Sequence, residues 1–473
     1  MPPCKVRAAS RATTLRKMTS SSLSEDDMTN ASPVMIERAR GMSHRAREGM
    51  PLTREEIRDV VNSLRNVTPA PAVDDDSNDN IIDWVALEGL LSEVVHVPHV
   101  DWDVTGTNST RLAEILLPDG GVGGGLTTSR FAHVRADTAR GELGRSVGAR
   151  GFVVGRRIVL GGGGGGGGGG RRPWAVLVTG VNGIRQTTSV HQPWFANVLR
   201  ESLVSPSSSS SSSSSRDDGE GRQFALEDLP TGGNSFFRQL DHMIATLCNE
   251  DFSALYALTG AQLRNDDRDG TKRNGTMGKN GHNITPPRDL IEKYSNLKGG
   301  IFSRYRTLSE LLGVILLREA QRANLNVMCE TSGRDKAMFH YVDHFFPSGG
   351  RYNKLALHFS INDLDHAMRS VDSRMVDEMR MGREALESGD VVEVIYANLG
   401  GPYGSEALGG VREDSDRVWD EIVTKGDGGG VGGDWYKSAM RINAHSGKPW
   451  TIQAVRPDGS FGEEYTFCDP RAV

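Results

Sequence analysis

The chain lacks the features that mark membrane-spanning, disulfide-bonded and nucleic-acid-binding proteins. No stretch of its sequence approaches the run of about 18 apolar residues that a membrane span needs. Its four cysteines, Cys4, Cys248, Cys329 and Cys468, lie far apart and form no C-x-x-C pair, so neither a zinc site nor a disulfide framework is expected. A formal net charge of −6 provides no overall basic field. We therefore expect no membrane association, no dedicated nucleic-acid binding and a reducing compartment.

Low-complexity segments interrupt the 473 residues of the chain. Polyglycine, polyserine and a Gly/Asn/Asp/Lys-rich stretch cannot bury enough apolar surface to fold. We therefore predict a disordered basic and polar N-terminus over 1–50, an N-terminal helical and mixed region over 51–160, a polyglycine linker over 161–170, and a folded domain over 171–473 with insertions at 205–222 and 264–288.

The first 24 residues contain several basic side chains and many Ser and Thr residues but no acid. This composition is typical of an organelle transit peptide, but an unstructured basic tail has the same composition, and no amphipathic apolar stripe accompanies the basic residues. We expect a cytoplasmic protein, with import into an organelle as the alternative.

The N-terminal region predicts two amphipathic helices. Thr53 and Glu56 form a capping-box pattern at the start of a helix over 53–67. A second helix is predicted over 81–97, and strand-like runs follow between 108 and 160. His96, His99 and His133 lack the spacing of metal ligands, so they are expected to be ordinary histidines. This region is therefore expected to serve as a scaffold or docking element.

The first segment whose residues suggest a functional site is a glycine turn after a short apolar strand. The segment over 175–190 reads AVLVTGVNGIRQTTSV, and small residues in such a turn let backbone N–H groups point at an anion. In the pattern G-x-x-x-x-G-K-[ST], Gly180 and Thr187 match, but Arg185 replaces the second glycine and Gln186 replaces the lysine. The segment predicts either a phosphate-binding loop without its usual cation or an ordinary strand–turn–helix connection.

Helices and buried strands alternate after this turn, which predicts a parallel sheet. A strand over 223–229 would end in Asp228, either a candidate base or a solvated loop acid, and a helix is predicted over 234–247. A long helix over 301–323 leads to a strand over 325–329, followed by Glu330 and Arg334. An acid at a strand end beside a phosphate loop can hold Mg²⁺, and an arginine just beyond can hold a phosphoryl oxygen.

The last part of the domain predicts a strand over 355–359, a helix capped by Ser360 and Asp363, a strand over 391–396 and a hairpin over 450–467. The helix carries a methionine-rich apolar stripe, which indicates core packing, and several arginines on its other sides, including Arg374. These arginines either form a solvated face or close a lid over a transferring phosphate, and we favour the lid.

From residue 174 onward the sequence resembles the zeta-toxin-like group of P-loop kinases. The resemblance rests on VLVTGVNGIRQTT as the phosphate loop, on the run ending in NVMCETSGRD, on the arginine-bearing helix after LALHF and on the strand-turn-strand around RPDGS. Members of this group have α/β P-loop folds and transfer the γ-phosphate of ATP to a small metabolite, in the toxins a nucleotide-activated amino sugar. The resemblance implies an α/β fold with a doubly wound, mainly parallel sheet.

The resemblance also implies roles for the matching residues. Mg²⁺ would be held by Thr187 and Glu330, and the catalytic residues would be Asp228, Arg334 and Arg374. The predicted function is ATP-dependent phosphotransfer to a hydroxyl of a small molecule. Because Gln186 replaces the lysine, a catalytically impaired nucleotide-binding or interaction protein is the alternative; protein partners are not predicted. The residues that would bind ATP are Gly180, Val181, Asn182, Gly183, Ile184, Arg185, Gln186, Thr187 and Thr188.

Overall fold

A computed structural model describes residues 33–67, 82–116, 172–203, 226–230, 235–268, 288–322, 324–424 and 434–467. The polyglycine and polyserine runs, His133 and the strand-like runs after residue 116 lie outside these ranges. Within them, every helix is too short or too polar to cross a membrane.

A seven-stranded sheet forms the centre of the structure, with the spatial order β2-β3-β1-β4-β5-β6-β7. The five strands from β2 to β5 in this order pair in parallel, and β6 and β7 add an antiparallel edge. The prediction of an α/β protein with a mainly parallel sheet is confirmed. The strands are β1 (Trp174–Gly180), β2 (Ser235–Arg238), β3 (Asn326–Glu330), β4 (Asn353–Ile361), β5 (Trp435–Asn443), β6 (Thr451–Val455) and β7 (Phe461–Thr466).

Helices pack around this sheet. Four of them precede β1 in the chain: α1 (Pro33–Arg47), α2 (Arg54–Val67), α3 (Trp84–Val94) and α4 (Trp102–Leu116). The others are α5 (Gln186–Val190), α6 (Phe195–Leu203), α7 (Leu240–Leu247), α8 (Asn249–Arg268), α9 (Arg288–Arg322), α10 (Ala337–Phe345), α11 (Leu364–Ser388), α12 (Val391–Ala397) and α13 (Ser405–Thr424).

The order of the strands determines where a ligand can bind. All of β1 is buried, as expected for an apolar strand with neighbours on both sides. It pairs with β3 on one side and β4 on the other, so the chain changes its direction of winding at β1. In open parallel sheets, ligands bind beyond the carboxyl ends of the strands at such a point. Gly180 and Glu330 end β1 and β3 at this edge.

Several predicted elements are confirmed. Helix α2 has the expected capping box: the Glu56 N–H donates to Thr53 Oγ1 at 3.3 Å, and the Thr53 N–H donates to Glu56 Oε2 at 2.7 Å. Asp363 caps α11, where Met375 and Met379 are fully buried, so the methionine stripe is core. The helices over 81–97 and 301–323, the strands over 325–329 and 355–359 and the terminal hairpin are also present, with shifted ends.

Other predictions are wrong. The described part of the strand predicted over 223–229 is a 3₁₀ turn, Leu226–Asp228. The second strand is instead β2, which falls within the helix predicted over 234–247 because Phe237 matches the helical spacing of the apolar residues in α7. Residues 391–396, rich in Val and Ile, form helix α12 because Asp390 caps it by accepting from the Val392 N–H at 2.8 Å. Helices α4, α8, α10 and α13 and strand β5 were not predicted.

The expectation of disorder up to residue 50 is wrong for 33–47, because α1 packs against α8 and α9. Arg38 of α1 donates to Asp251 of α8 at 2.6 Å, and the same carboxylate accepts from the hydroxyl of Tyr305 at 2.7 Å. In α2, Glu56 accepts from two nitrogens of Arg304 in α9, each at 2.5 Å. The four N-terminal helices therefore share one hydrophobic core with the sheet.

The Glu56 ion pair leads to a test of this docking. Glu56→Gln is expected to lower the free energy of unfolding at pH 7 by about 3–5 kcal/mol, because it removes one partner of a buried ion pair. Burial alone would raise the pKa of Glu56, but hydrogen bonds from Arg304 and Thr53 and the charges of Arg304 and Arg45 lower it from 4.5 to about 2.

A group whose pKa is lowered by folding stabilises the folded state above its unfolded pKa, and this stabilisation is lost as the pH falls through its folded pKa. The stability difference between wild type and Glu56→Gln should therefore shrink as the pH falls from 4.5 towards 2. Chemical denaturation at several pH values measures it, with the exposed Glu55→Gln as control. A difference that does not change with pH would contradict the assignment.

Candidate active site

Two glycines with positive φ shape the loop after β1. Gly180 and Gly183 have φ values of 134° and 84°, which L side chains rarely adopt. A Cβ on Gly183 would lie 2.6 Å from Val371 Cγ2 and 2.8 Å from the Ala367 carbonyl oxygen, so α11 closes over the loop. Arg185, in the place of the second glycine, also has a positive φ of 62°. Arg185 therefore adopts a left-handed backbone conformation, at a cost of about 1–2 kcal/mol.

The side chain of Arg185 contacts an aromatic ring. Its guanidinium carbon lies 4.8 Å from the centroid of the Trp450 ring, just before β6, in a cation–π contact. Such a contact contributes about 0.5–1 kcal/mol at an exposed site and offsets part of the backbone cost. The charge of Arg185 is thus directed towards β6.

Gln186 folds back over the loop. Its Nε2 donates to the Val181 carbonyl at 3.4 Å, and its side chain lines the neighbouring cavity. An amide can donate to a phosphate oxygen but contributes no charge. Helix α5 has only five residues, so the donors of this loop are the N–H groups of the turn itself.

The other loop residues divide between the core and the cavity. The side chains of Val181 and Ile184 are buried, so only their backbone groups can meet a ligand. Asn182 lines the cavity. Thr188 is half-buried, and its carbonyl accepts a hydrogen bond from Gln192 Nε2 at 3.4 Å.

The Thr187 hydroxyl and the Glu330 carboxylate meet directly. Thr187 Oγ1 donates to Glu330 Oε1 at 2.7 Å. Beside them, the Thr331 N–H donates to the Val178 carbonyl at 2.9 Å and holds the ends of β3 and β1 together. The structure thus brings together the two residues that the sequence assigns to Mg²⁺.

Thr187 and Glu330 could hold Mg²⁺ only together with the phosphate oxygens of a bound nucleotide. In the described part of the chain, no group of three or more His, Cys, Asp and Glu side chains could hold a metal ion. Mg²⁺ commonly takes one or two protein oxygens and completes its shell with water and substrate phosphates. The hydroxyl and carboxylate therefore suit a metal that arrives with a phosphate.

A cavity of about 560 Å³ opens beside the pair. Its volume lies within the range of about 300–1,000 Å³ that is usual for small-molecule sites. Asn182, Gln186, Glu330 and Arg334 contribute to its wall, together with residues of α7, α9, α10 and α13. The loop and the end of β3 thus face the same space.

Arg334 lies in this cavity and has two neighbours there. Its Nη2 is 3.6 Å from Asp414 Oδ2, and its guanidinium carbon lies 5.7 Å from the centroid of Tyr403. The preceding Gly333 has a φ of 68°, and a Cβ there would lie 2.9 Å from Thr179 Cβ. The close approach of Gly333 to β1 therefore directs Arg334 into the cavity.

Arg374 supports the cavity wall from outside, which corrects its assignment as a lid residue. Its Nη2 donates to the Gly401 carbonyl at 3.0 Å, and its Nε lies 3.5 Å from Glu378 Oε1. Gly401 lines the cavity, whereas Arg374 is not part of the lining. Arg374 thus positions the loop over 399–405.

A buried ion pair holds the same loop. Glu378 accepts from the Leu399 N–H at 3.1 Å and from Lys298 Nζ at 2.6 Å. Burial lowers the pKa of Lys298 to about 8, although the charge of Glu378 opposes this shift. From α9, Ser295 Oγ donates to the Pro402 carbonyl at 2.8 Å and accepts from the Gly404 N–H at 2.9 Å. This part of the wall is therefore firmly anchored.

Asp228 lies at the wrong end of the sheet for the catalytic role predicted for it. Its carbonyl accepts from the indole of Trp174 at 2.6 Å. Trp174 begins β1 and Gly180 ends it, so these two residues are about 20 Å apart at about 3.3 Å per residue. Asp228 is also absent from the cavity lining. The error follows from the misplaced second strand.

The sequence analysis missed Asp241. This residue lies in the first turn of α7, directly after the true second strand, and it lines the cavity. Its carboxylate accepts no hydrogen bond from the residues that the structure describes. The sequence signal for Asp241 is its position as the first carboxylate after Phe236, Phe237 and Arg238. This signal can be used only once those three residues are recognised as part of a strand.

No family model, curated protein or solved structure matches the chain. The function is therefore inferred from the geometry of the cavity and from the residues that line it.

Proposed function

We propose that the protein is an ATP-dependent phosphotransferase with a P-loop-kinase-like, doubly wound sheet. The observation that supports this proposal most is the 2.7 Å hydrogen bond between Thr187 and Glu330, beside a turn with two obligatory glycines. A glycine turn that cradles phosphate, a hydroxyl and a carboxylate for Mg²⁺ are the parts that phosphoryl transfer needs. Asn182 and Gln186 of the turn and Glu330, the hydrogen-bond partner of Thr187, line one cavity.

The loop from Gly180 to Thr187 would bind the phosphates of ATP through its backbone N–H groups. Thr187 and Glu330 would hold Mg²⁺ together with phosphate oxygens and water. When bound, the metal would neutralise charge on the β- and γ-phosphates. Arg334, the predicted catalytic arginine that lines the cavity, would stabilise the charge on the transferring group.

Asp241 would orient the acceptor hydroxyl and receive its proton, the role that the sequence analysis assigned to Asp228. In this step the acceptor oxygen forms a bond to the γ-phosphorus, and the bond from that phosphorus to the bridging oxygen breaks. The products are a phosphate ester and ADP. Arg374 would act at a distance, by fixing the loop at Gly401.

One observation favours a second function. Gln186 is neutral and donates to the Val181 carbonyl, so the loop lacks the cation that usually binds the β- and γ-phosphates. A nucleotide-binding or interaction protein that has lost phosphotransfer would need no such cation. Experiments on the loop and on Asp241 separate the two functions.

Gln186→Lys is expected to tighten Mg-ATP binding about tenfold or more, since a charge-assisted hydrogen bond contributes about 1.5–3 kcal/mol. Isothermal titration calorimetry measures this effect. Ser460→Lys adds the same charge in the exposed turn between β6 and β7, at the opposite end of the sheet and outside the cavity, and should leave the affinity within about twofold.

Arg185→Ala tests whether the other basic residue of the loop replaces the lysine. Because its guanidinium lies against Trp450, we expect nucleotide binding to persist in this variant. Loss of binding in Arg185→Ala, with no gain in Gln186→Lys, would contradict the arrangement described here. Absence of Mg-ATP binding in all variants would reject the phosphotransferase.

Asp241→Asn is expected to slow Mg-ATP turnover by about 10²–10⁴-fold, because it removes the general base, while ATP affinity stays the same. Release of phosphate with water as the acceptor measures this turnover. Asp228→Asn is the matched control and should retain wild-type turnover. If only the control variant lost activity, the assignment of Asp241 would be wrong, and turnover absent from wild type would favour the second function.

A further inference from the structure

The cavity extends from the candidate phosphate site along helix α9. The residues of α9 that line it run from Lys293 to Arg306 and recur along one face of the helix. At a rise of about 1.5 Å per residue, this face is about 20 Å long. Ser295 contacts the loop at Pro402, so the Lys293 end lies beside the anchored wall. The Arg306 end continues to the N-terminal helices.

The N-terminal helices build the wall at this second end. The lining includes Ala46 at the end of α1, His99 and Val100 just before α4, and Trp102, the first residue of α4. The sequence analysis assigned this region a scaffold or docking role. Its position in the same cavity as Glu330 indicates a direct role in ligand binding.

This wall is held against α9 by polar contacts along its length. Thr307 Oγ1 donates to the Val97 carbonyl at 3.0 Å, just before the lining residues. Further along α4, Ser109 Oγ donates to the Leu311 carbonyl at 3.1 Å. Arg318 Nη1 donates to Thr110 Oγ1 at 2.6 Å. These anchors place the wall at a fixed distance from α9, as a specific binding surface requires.

The lining at this end is mainly apolar and aromatic. Trp102 and Phe302 each keep 8% of their surface exposed, and Val100 keeps 39%. Trp102 packs edge-on against Tyr341 with ring centroids 5.1 Å apart, which fixes the orientation of its ring. Met338 of α10 adds a further apolar side chain. Rigid aromatic and aliphatic walls of this kind favour a flat apolar group.

Two adjacent glycines of α9, Gly299 and Gly300, are part of the cavity lining. A Cβ on Gly300 would lie 2.9 Å from Ala46 Cβ, so the packing of α1 explains this glycine. Among the residues that the structure describes, no atom lies within 4 Å of a Cβ built on Gly299, and Gly299 lines the cavity. Glycine lowers helix stability relative to alanine, and no contact within that part of the chain requires it at 299. Its missing side chain leaves room for a ligand against the helix.

We propose that the N-terminal helices form the acceptor-binding wall of the cavity, and that the acceptor is a hydroxyl-bearing small molecule with a flat apolar ring. The ring lies between Val100 and Trp102 on one side and α9 at Gly299 on the other. Its hydroxyl extends towards Asp241. That this molecule accepts a phosphate rests on the phosphotransferase function proposed above. The binding site for its ring rests on the cavity lining alone.

The test uses naphthalene-2-ethanol, a flat ring with a primary hydroxyl, as the probe for calorimetric titration of the full chain. Gly299→Leu fills the ring site, and Val100→Asp places a charge on the N-terminal wall. Both should weaken probe binding at least tenfold. The matched controls, Gly89→Leu and Val104→Asp, change an exposed helical glycine and an exposed valine outside the cavity, and they should bind within about twofold of wild type.

Because Val100 keeps 39% of its surface exposed, Val100→Asp keeps the test valid even if Gly299→Leu fails to fold. Equal probe binding in Val100→Asp and Val104→Asp, or no binding by wild type, would overturn the proposed wall. Mg-ATP titrations of the same proteins separate the two proposals. Probe binding with the expected pattern but without ATP binding would support the ring site and reject phosphotransfer, and ATP binding without probe binding would do the opposite.

Discussion

The candidate site depends on the parallel pairing of β1 with β3. These strands are far apart in the chain, and their pairing places the glycine turn beside Glu330, so that the Thr187 hydroxyl and the carboxylate meet at 2.7 Å. On the other side of β1, α11 follows β4 and covers the turn at Gly183. The turn therefore has its acid on one side and a helix over it, and the remaining side opens to the cavity.

Local sequence signals predicted much of the fold. Long amphipathic helices, the capping box at Thr53 and the apolar strands around β1 carry their own periodicity or hydrogen-bond pattern. The predictions failed where tertiary contacts or a helix cap determine the secondary structure against the preference of the local sequence. Helix α12 has β-branched residues but is capped by Asp390, and α1 is polar but is ordered through Arg38 and its partner on α8.

The site residues that lie at or just after a strand end could be predicted from the sequence. The turn, Glu330 and Arg334 each lie at a strand end, where the order of elements indicates a role. Asp241 was missed because β2 is only four residues long, and Asp228 was chosen in its place. The support from Arg374 and the wall from the N-terminal helices depend on contacts between distant segments, which no local pattern reveals.

The central claim is that Thr187 and Glu330 bind a metal together with nucleotide phosphates. The most direct measurement is the affinity for ATP with and without Mg²⁺, in wild type and in Thr187→Val. The account predicts that Mg²⁺ tightens ATP binding to wild type by at least about tenfold and that Thr187→Val abolishes this gain. Equal ATP affinity with and without Mg²⁺, or an unchanged Mg²⁺ effect in Thr187→Val, would contradict it.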